Sequence, residues 1–313
     1  MSRNFGLPYM GSKNRIAKEL ITEIIWNEPN AQIFIDLFAG GCAISHSAIL
    51  SGKFKKVIAN DINAMPKLFK DAILGKYRDE KRWISRDKFH KLKDTDMYIK
   101  SVWSFGNDGE TYLYGEHLEP YKKAYHYARV LGDFSLFNQF APYIEQENGG
   151  NLRQYIKTNH ERIKKDYSKW LSTDIKYSSS SLQRLQSLQS LERLERLERL
   201  ESLQSLENLS DTLEISQGSY QEFKLPKADE CVIYCDIPYK GTQGYKHNGK
   251  KLEFNYEAFY NWVRDKAKDG YKIYISEYQM PSDFKEVLAI DTNSRLNDKS
   301  PKKVKEKLFK YEN

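Results

Sequence analysis

Cysteine is scarce in this 313-residue chain, where Cys42, Cys231 and Cys235 are the only three. Three thiols cannot build a disulfide framework. With no Cys-x-x-Cys pair and no His/Cys cluster at zinc spacing, the sequence predicts a reducing compartment and no structural metal. Long apolar runs are missing as well. No stretch approaches the roughly 20 consecutive apolar residues that cross a bilayer, and the segment from Met1 to Lys13 lacks the apolar core of a secretory signal. The expectation is a soluble, cytoplasmic protein without a membrane partner. The glycines do not fall into a GxGxxG pattern, which makes a dinucleotide pyrophosphate a less attractive ligand. Neither sign of charge dominates: 50 Lys plus Arg against 43 Asp plus Glu leave a net charge of +7, a balance that favours polyanionic partners without requiring them. Hydrophobic residues at 40% and aromatics at 13% exclude wholesale disorder. The length is about twice a typical domain, which fits one large domain with an insertion or two modest ones.

Ile16, Leu20 and Ile24, with Ala17, Ile21 and Ile25, recur at helical spacing and predict an amphipathic helix over 14–26. Ile33 to Phe38 is an apolar run of strand length ending in Ala39-Gly40-Gly41, and Val57-Ile58-Ala59 is a second that ends in Asn60-Asp61 before helical periodicity resumes at Met65 to Leu74. This is a βαβ signature. Much later come a buried-strand run, Cys231 to Cys235, an amphipathic helix, Tyr256 to Lys268, and a further strand, Tyr271 to Glu277. Strands therefore occur at both ends of the chain, with acidic residues at their carboxyl ends. The expected organisation is a discontinuous α/β domain, residues 1–75 and 214–313, interrupted by an insertion at 76–213.

Inside that insertion a triplet repeat at 181–209 places leucine at every third position from Leu182 to Leu209. A three-residue step falls about 60° short of an α-helical turn, so these leucines wind around an α-helix instead of forming one stripe. Three readings stay open: a disordered low-complexity insert, a helix embedded on all sides, or a short coil with a period near three. A spacer of variable length without chemistry accounts for the repeat as well. Its four Arg and five Glu nearly cancel, so it is no electrostatic clamp for DNA.

Two turns carry chemistry. Asp36-Leu37-Phe38-Ala39-Gly40-Gly41 links the first strand to a helix through Ile44 and Ile49. Glycines let a ligand approach the backbone, and a helix N-terminus offers free N–H groups. A strand-end Asp suits a positively charged amino group, and Asp61, about 25 residues on at the next strand end, suits ribose hydroxyls. S-adenosylmethionine, with its ammonium, ribose and sulfonium, answers both better than NAD does. Taken alone, Asp36 is equally explained as a solvated strand-end carboxylate. The second turn is Asp236-Ile237-Pro238-Tyr239. An exocyclic amine conjugated to a ring is a poor nucleophile. An enzyme that alkylates it must accept hydrogen bonds from both N–H groups, and the Asp236 carboxylate with the Ile237 carbonyl could do so while Pro238 stiffens the turn. Tyr239 could then stack on the base. An ordinary Asp/Pro turn is the plainer alternative.

Pro8-Tyr9-Met10-Gly11-Ser12-Lys13, Asp36 to Gly41, Asn60-Asp61-Ile62-Asn63 and Asp236 to Tyr239, in that order and with a large insertion before the last, resemble the Dam-like, alpha-order DNA adenine N6-methyltransferases. The resemblance covers about residues 6–75 and 212–280. It implies an α/β fold with a Rossmann-like S-adenosylmethionine-dependent methyltransferase sheet and an inserted, mainly helical target-recognition domain. Tyr9 and Lys13 would meet the methionine carboxylate. Asp36, Phe38, Ala39, Gly40 and Gly41 would hold the rest of S-adenosylmethionine, with Asp61 and Ile62 at its ribose and Ser219 and Tyr220 near its adenine. Asp236, Ile237, Pro238 and Tyr239 would be the catalytic tetrapeptide, with Ile237 standing where the family usually has proline. The implied partner is double-stranded DNA. Ser104 to Gly109 with Thr111, Tyr112 and Tyr114 look like the family's hairpin beside the target base, although Asn-Asp-Gly also makes a tight turn for no partner. Asn107, Asp108 and Tyr112 there, and Lys122 and Lys123 as phosphate contacts, are the candidate DNA-binding residues; Lys164 and Lys165 are further ones. The tail from Asn297, with six lysines against Asp298, Glu306 and Glu312, is expected to be a frayed or helical end. No metal is implied, and the chain would act as a monomer or weak dimer in a bacterial or phage-infected cytoplasm, in the manner of restriction-modification methylases. An RNA adenine methylase and a catalytically silent DNA-binding protein on the same scaffold are the alternatives.

Overall fold

The computed structural model describes residues 5–9, 11–173, 192–240, 246–247, 250–251, 253–294 and 302–312. The chain divides into two compact units, one formed by Met1–Lys76 with Leu200–Asn313 and the other by Tyr77–Arg199.

In the first unit the apolar runs become strands β1 (Ile33–Asp36), β2 (Lys56–Asp61), β3 (Leu213–Gln217) and β4 (Cys231–Asp236). The two-residue strands β5 (Lys246–His247) and β6 (Lys250–Lys251) pair with each other, and β7 (Lys272–Glu277), β8 (Phe284–Ser294) and β9 (Lys302–Tyr311) follow. The main sheet has seven strands in the order β3-β2-β1-β4-β7-β9-β8. Its first five strands run parallel, and β9 is antiparallel to both β7 and β8. Strands β1, β2, β4 and β7 are buried along nearly their whole length, as a parallel sheet covered on both faces requires. One face carries Ile35, Ile233, Cys235 and Ile275, packed with Phe259 and Val263 of the helix Tyr256–Lys268. This is the expected Rossmann-like α/β sheet. From β1 the chain passes through α2 (Ala43–Leu50) to β2 and through α3 (Met65–Ile73) onward, preceded by α1 (Ala17–Asn27). The sheet grows from β1 toward β2 and β3 on one side and from β4 toward β7 on the other. The crevice beyond the carboxyl ends of β1 and β4 is therefore the topological switch point, where open α/β sheets bind ligands.

One expectation needs correction. Residues 302–311 are neither frayed nor helical but form β9, an interior strand of the sheet. Among the described side chains of β9, Leu308 and Phe309 are buried, and the surrounding lysines conceal that short apolar pair in the sequence. Of the three readings open for the leucine repeat, the described part ends in the coil with a period near three. Glu192–Ser202 is α-helical and Leu203–Thr212 continues as a 3₁₀ helix. Three residues per turn is the pitch that stacks a triplet repeat on one side, and Leu203 and Leu206 are buried at 1% and 4% exposure while Leu209 is 38% exposed. This segment contacts α3. Leu203→Ala is expected to destabilise the protein by about 2–5 kcal/mol and Leu209→Ala by no more than about 0.5 kcal/mol, as read from denaturant midpoints. Residues 181–191 of the repeat lie outside the described residues.

The second unit is mainly helical, with helices at Arg86–Leu92, Met97–Val102, Glu119–His126, Tyr143–Glu147, Leu152–Thr158 and His160–Ser172. Tyr121, Phe137, Ile144, Ile156, Ile163, Tyr167 and Leu171 form its core. Ser104 and Tyr112 meet in an isolated antiparallel bridge that closes a short loop over the 3₁₀ turn Phe105–Asn107. Arg196 braces the base of that loop, donating to the carbonyls of Ser101, Val102 and Ser104. Among the described residues, no helix is long and apolar enough to cross a membrane.

Candidate active site

Parallel pairing places three aspartates at neighbouring strand ends. Asp36 closes β1 in register with Ala59 and Tyr234, so Asp61 and Asp236 each stand two residues farther along the adjacent strands. Asp36 is 1% exposed. Its Oδ2 accepts the Ser45 hydroxyl at 2.7 Å and the Ser45 N–H at 3.2 Å, while Oδ1 has no hydrogen-bond partner among the described residues. Burial, with repulsion from Asp236 and Asp61 and against the Ser45 bonds, pushes its pKa up to about 7. A cation placed against that oxygen would favour the ionised form of the carboxyl. A carboxyl whose folded pKa lies above its unfolded value stabilises the fold at low pH, and that contribution is lost as pH rises through about 7. Asp36→Asn should remove this decline, so the variant's melting temperature should gain on the wild type between about pH 4 and pH 8 in a thermal-melt series.

Asp61 shapes the glycine turn. Its Oδ2 accepts the Gly40 N–H at 2.8 Å and its Oδ1 the Asn63 N–H at 3.0 Å. The N-terminal motif lies against the same turn, with the Leu7 N–H donating to the Gly41 carbonyl at 2.6 Å. A Cβ at Gly41 would come within 2.7 Å of both the Leu7 carbonyl oxygen and the Tyr9 Cβ, and one at Gly40 within 2.8 Å of the Tyr9 ring. Gly40 also sits at φ +45°, where a side chain is strained. Beyond the turn, Phe38 packs against Tyr220 at 5.4 Å between ring centroids and edge-on against Phe254 and Phe259. Asn60 Nδ2 donates to the carbonyls of Leu37 and Gly218, tying together the ends of β1, β2 and β3. Ala39 is buried, Ser219 is partly exposed and Ile62 is 44% exposed. Tyr9, Asp36, Phe38, Gly40, Gly41, Asp61 and Tyr220 thus belong to one rim of the sheet.

Asp236 is partly buried, its side chain 20% exposed, beside the buried Lys13, whose Nζ lies 2.9 Å from Oδ1. Burial raises its pKa, Lys13 opposes the rise, and Glu306 adds to it. The same ammonium stands 4.5 Å from the centroid of the Tyr239 ring. Lys13, expected with the cofactor carboxylate, therefore touches two members of the tetrapeptide. The Ile237 side chain is 1% exposed and packs in the core with Ile35, Leu37 and Ile275, an apolar role that explains isoleucine at this position. Two acidic residues that the sequence pattern does not single out complete the site. The Tyr239 hydroxyl donates to Glu306 Oε2 at 2.6 Å, and Glu277 accepts the N–H groups of Lys240 at 3.1 Å and Tyr278 at 2.7 Å. Glu277 carries one usable signal, an acid closing an apolar strand; Glu306 has none.

The expected DNA contacts are less uniform. Asp108 is exposed and its carboxylate accepts the N–H groups of Glu110 and Thr111, and Lys123 is partly exposed. Tyr112, by contrast, is 2% exposed and donates its hydroxyl to the Ile84 carbonyl, and Lys122 is 4% exposed. These two face the interior in this structure and do not present themselves to a phosphate. The exposed aromatic of the loop is Phe105, 59% exposed, a residue with no distinguishing sequence signal. The side chain of Asn107 lies outside the described residues.

A search of curated proteins finds no match to the chain. The family model for D12 class N6 adenine-specific DNA methyltransferases matches residues 9–293, spanning every strand-end residue described above, and the chain belongs to that family of adenine-specific DNA methyltransferases.

Proposed function

We propose that this protein is a site-specific methylase of double-stranded DNA that draws the target adenine out of the helix and methylates its N6 with S-adenosylmethionine. The observation that carries the reading is the meeting of Asp236 with Asp36 and Asp61 at the switch point of the sheet. The orphaned Asp36 Oδ1 suits the ligand's ammonium, Asp61 its ribose, and the Phe38 and Tyr220 rings its adenine, with Tyr9 and the Gly40-Gly41 backbone closing over it. When bound, S-adenosylmethionine supplies an electrophilic methyl on a sulfonium.

The chain's own residues do the rest. Asp236 accepts one N6–H of the base and the Ile237 carbonyl the other, which favours a pyramidal nitrogen with its lone pair free to attack. Tyr239 stacks on the extruded ring, offsetting part of the few kcal/mol that flipping costs. Lys13 favours the ionised form of Asp236, the form able to accept that bond. No strong base is needed, because an alkylated aryl ammonium is very acidic. In the 77–199 unit, taken as the target-recognition domain, Phe105, Asp108 and Lys123 are available to a duplex. The presence of this unit favours DNA over RNA. The setting proposed is the cytoplasm of a bacterium or an infected host.

Incubating the protein with tritiated S-adenosylmethionine and either duplex DNA or RNA, then mapping N6-methyladenine by single-molecule sequencing, tests the reading. Label in DNA at one recurring sequence is expected. A protein that binds DNA and transfers nothing would be a silent scaffold, and label confined to RNA would make it an RNA methylase.

A further inference from the structure

Strand β9 reaches the candidate active site. Its partner β7 ends in Glu277, and the register Ser276↔Leu308 and Glu277↔Lys307 fixes where Glu306 falls. From there the Glu306 carboxylate accepts the Tyr239 hydroxyl at 2.6 Å. The ring is also braced by Tyr278, edge-on at 4.6 Å between centroids. One residue later, Glu277 accepts the Lys240 N–H at 3.1 Å. The turn that begins at Asp236 is thus held at its far end by two carboxylates from neighbouring strands.

This arrangement carries a cost. Glu306 repels Asp236 and pushes the pKa of that carboxyl up, although the site works through an ionised Asp236. A carboxylate placed there only to fill space would be replaced without loss by an apolar side chain. What it contributes is a hydrogen-bond acceptor that the Tyr239 hydroxyl shares with that of Tyr278. Proline, with its locked φ, stiffens a turn from within; Ile237 cannot. We propose that Glu306 is a positioning residue that holds the Tyr239 ring in its base-stacking orientation, giving the turn from outside the rigidity that Ile237 does not give it from within. The proposal rests on the methylase reading above.

Its test is a double-mutant cycle on duplex DNA with single-turnover rates, KM for S-adenosylmethionine and melting temperature recorded together. Glu306→Ala should lower the rate about ten- to a hundredfold, the scale of a misplaced contact group, with KM for the cofactor within about twofold. Glu306→Gln keeps an acceptor and should recover most of the rate. In a Tyr239→Phe background the hydroxyl that Glu306 positions is gone and its bond from Tyr278 alone remains, so Glu306→Ala should cost no more than about twofold further. An equal cost in both backgrounds, or a Gln variant as slow as the Ala variant while still folded, overturns the proposal with the wild type active. A wild type that transfers no methyl group overturns the methylase reading, and the proposal with it.

Discussion

Asp236→Ala should leave a folded protein that binds S-adenosylmethionine and DNA but transfers methyl about two to three orders of magnitude more slowly, the scale seen when one fixed hydrogen-bonding group is taken from a reacting centre. The adenine N6 keeps its lone pair in the ring unless an acceptor draws on its hydrogens, and under the proposed function Asp236, at the β4 end, is that acceptor. The loss should therefore appear in the single-turnover rate and not in the affinity for either ligand. Truncation also strands the Lys13 ammonium, which is 8% exposed and pairs with Asp236 at 2.9 Å, so alanine carries a stability penalty of its own. Asp236→Asn separates the two effects. It keeps the shape and one acceptor oxygen while losing the charge, and should fall between alanine and the wild type in rate. Equal rates for all three would remove Asp236 from the chemistry.

Gly41→Ala should weaken S-adenosylmethionine binding at least tenfold and lower stability by about 1–3 kcal/mol, the cost of forcing a methyl group into a packed site. The added Cβ would stand 2.7 Å from the Leu7 carbonyl oxygen and 2.7 Å from the Tyr9 Cβ, and a backbone oxygen cannot move aside as a side chain can. Relief requires lifting the N-terminal motif, which breaks the bond from the Leu7 N–H to the Gly41 carbonyl and removes Tyr9 from the rim. Gly218→Ala is the control. Its nearest neighbour would be the Glu222 carboxylate at 3.9 Å, an ordinary contact, so both quantities should stay at wild-type values. Calorimetric titration with S-adenosylmethionine and a thermal melt on each variant decide the matter; a Gly41→Ala protein that binds normally would show that the close approach serves no ligand.

Strands β1, β2, β4 and β7 are legible in the sequence because a parallel strand covered on both faces is written as a continuous apolar run, and an acid at its end marks where burial stops. The same logic places Asp36, Asp61 and Asp236 at the carboxyl ends of their strands. The final hairpin is not legible in this way. Pairing β9 between β7 and β8 is non-local, and lysines outnumber its buried residues, so neither Leu308 nor the partner of Tyr239 stands out there. In the 77–199 unit the sequence offers several aromatics around a Gly-Asn-Asp-Gly turn without saying which faces water. Packing sends Tyr112 inward and leaves Phe105 outside.

The 3₁₀ stretch at Leu203–Thr212 has a consequence for how this coding sequence can vary. Adding or deleting one whole triplet within such a coil advances the polypeptide by about 6 Å and returns it to the same azimuth, so the greasy side still meets α3. A change of one or two residues instead would turn the position of Leu206 away from α3. Nine-nucleotide steps in the coding sequence are therefore expected to cost less stability than other in-frame steps.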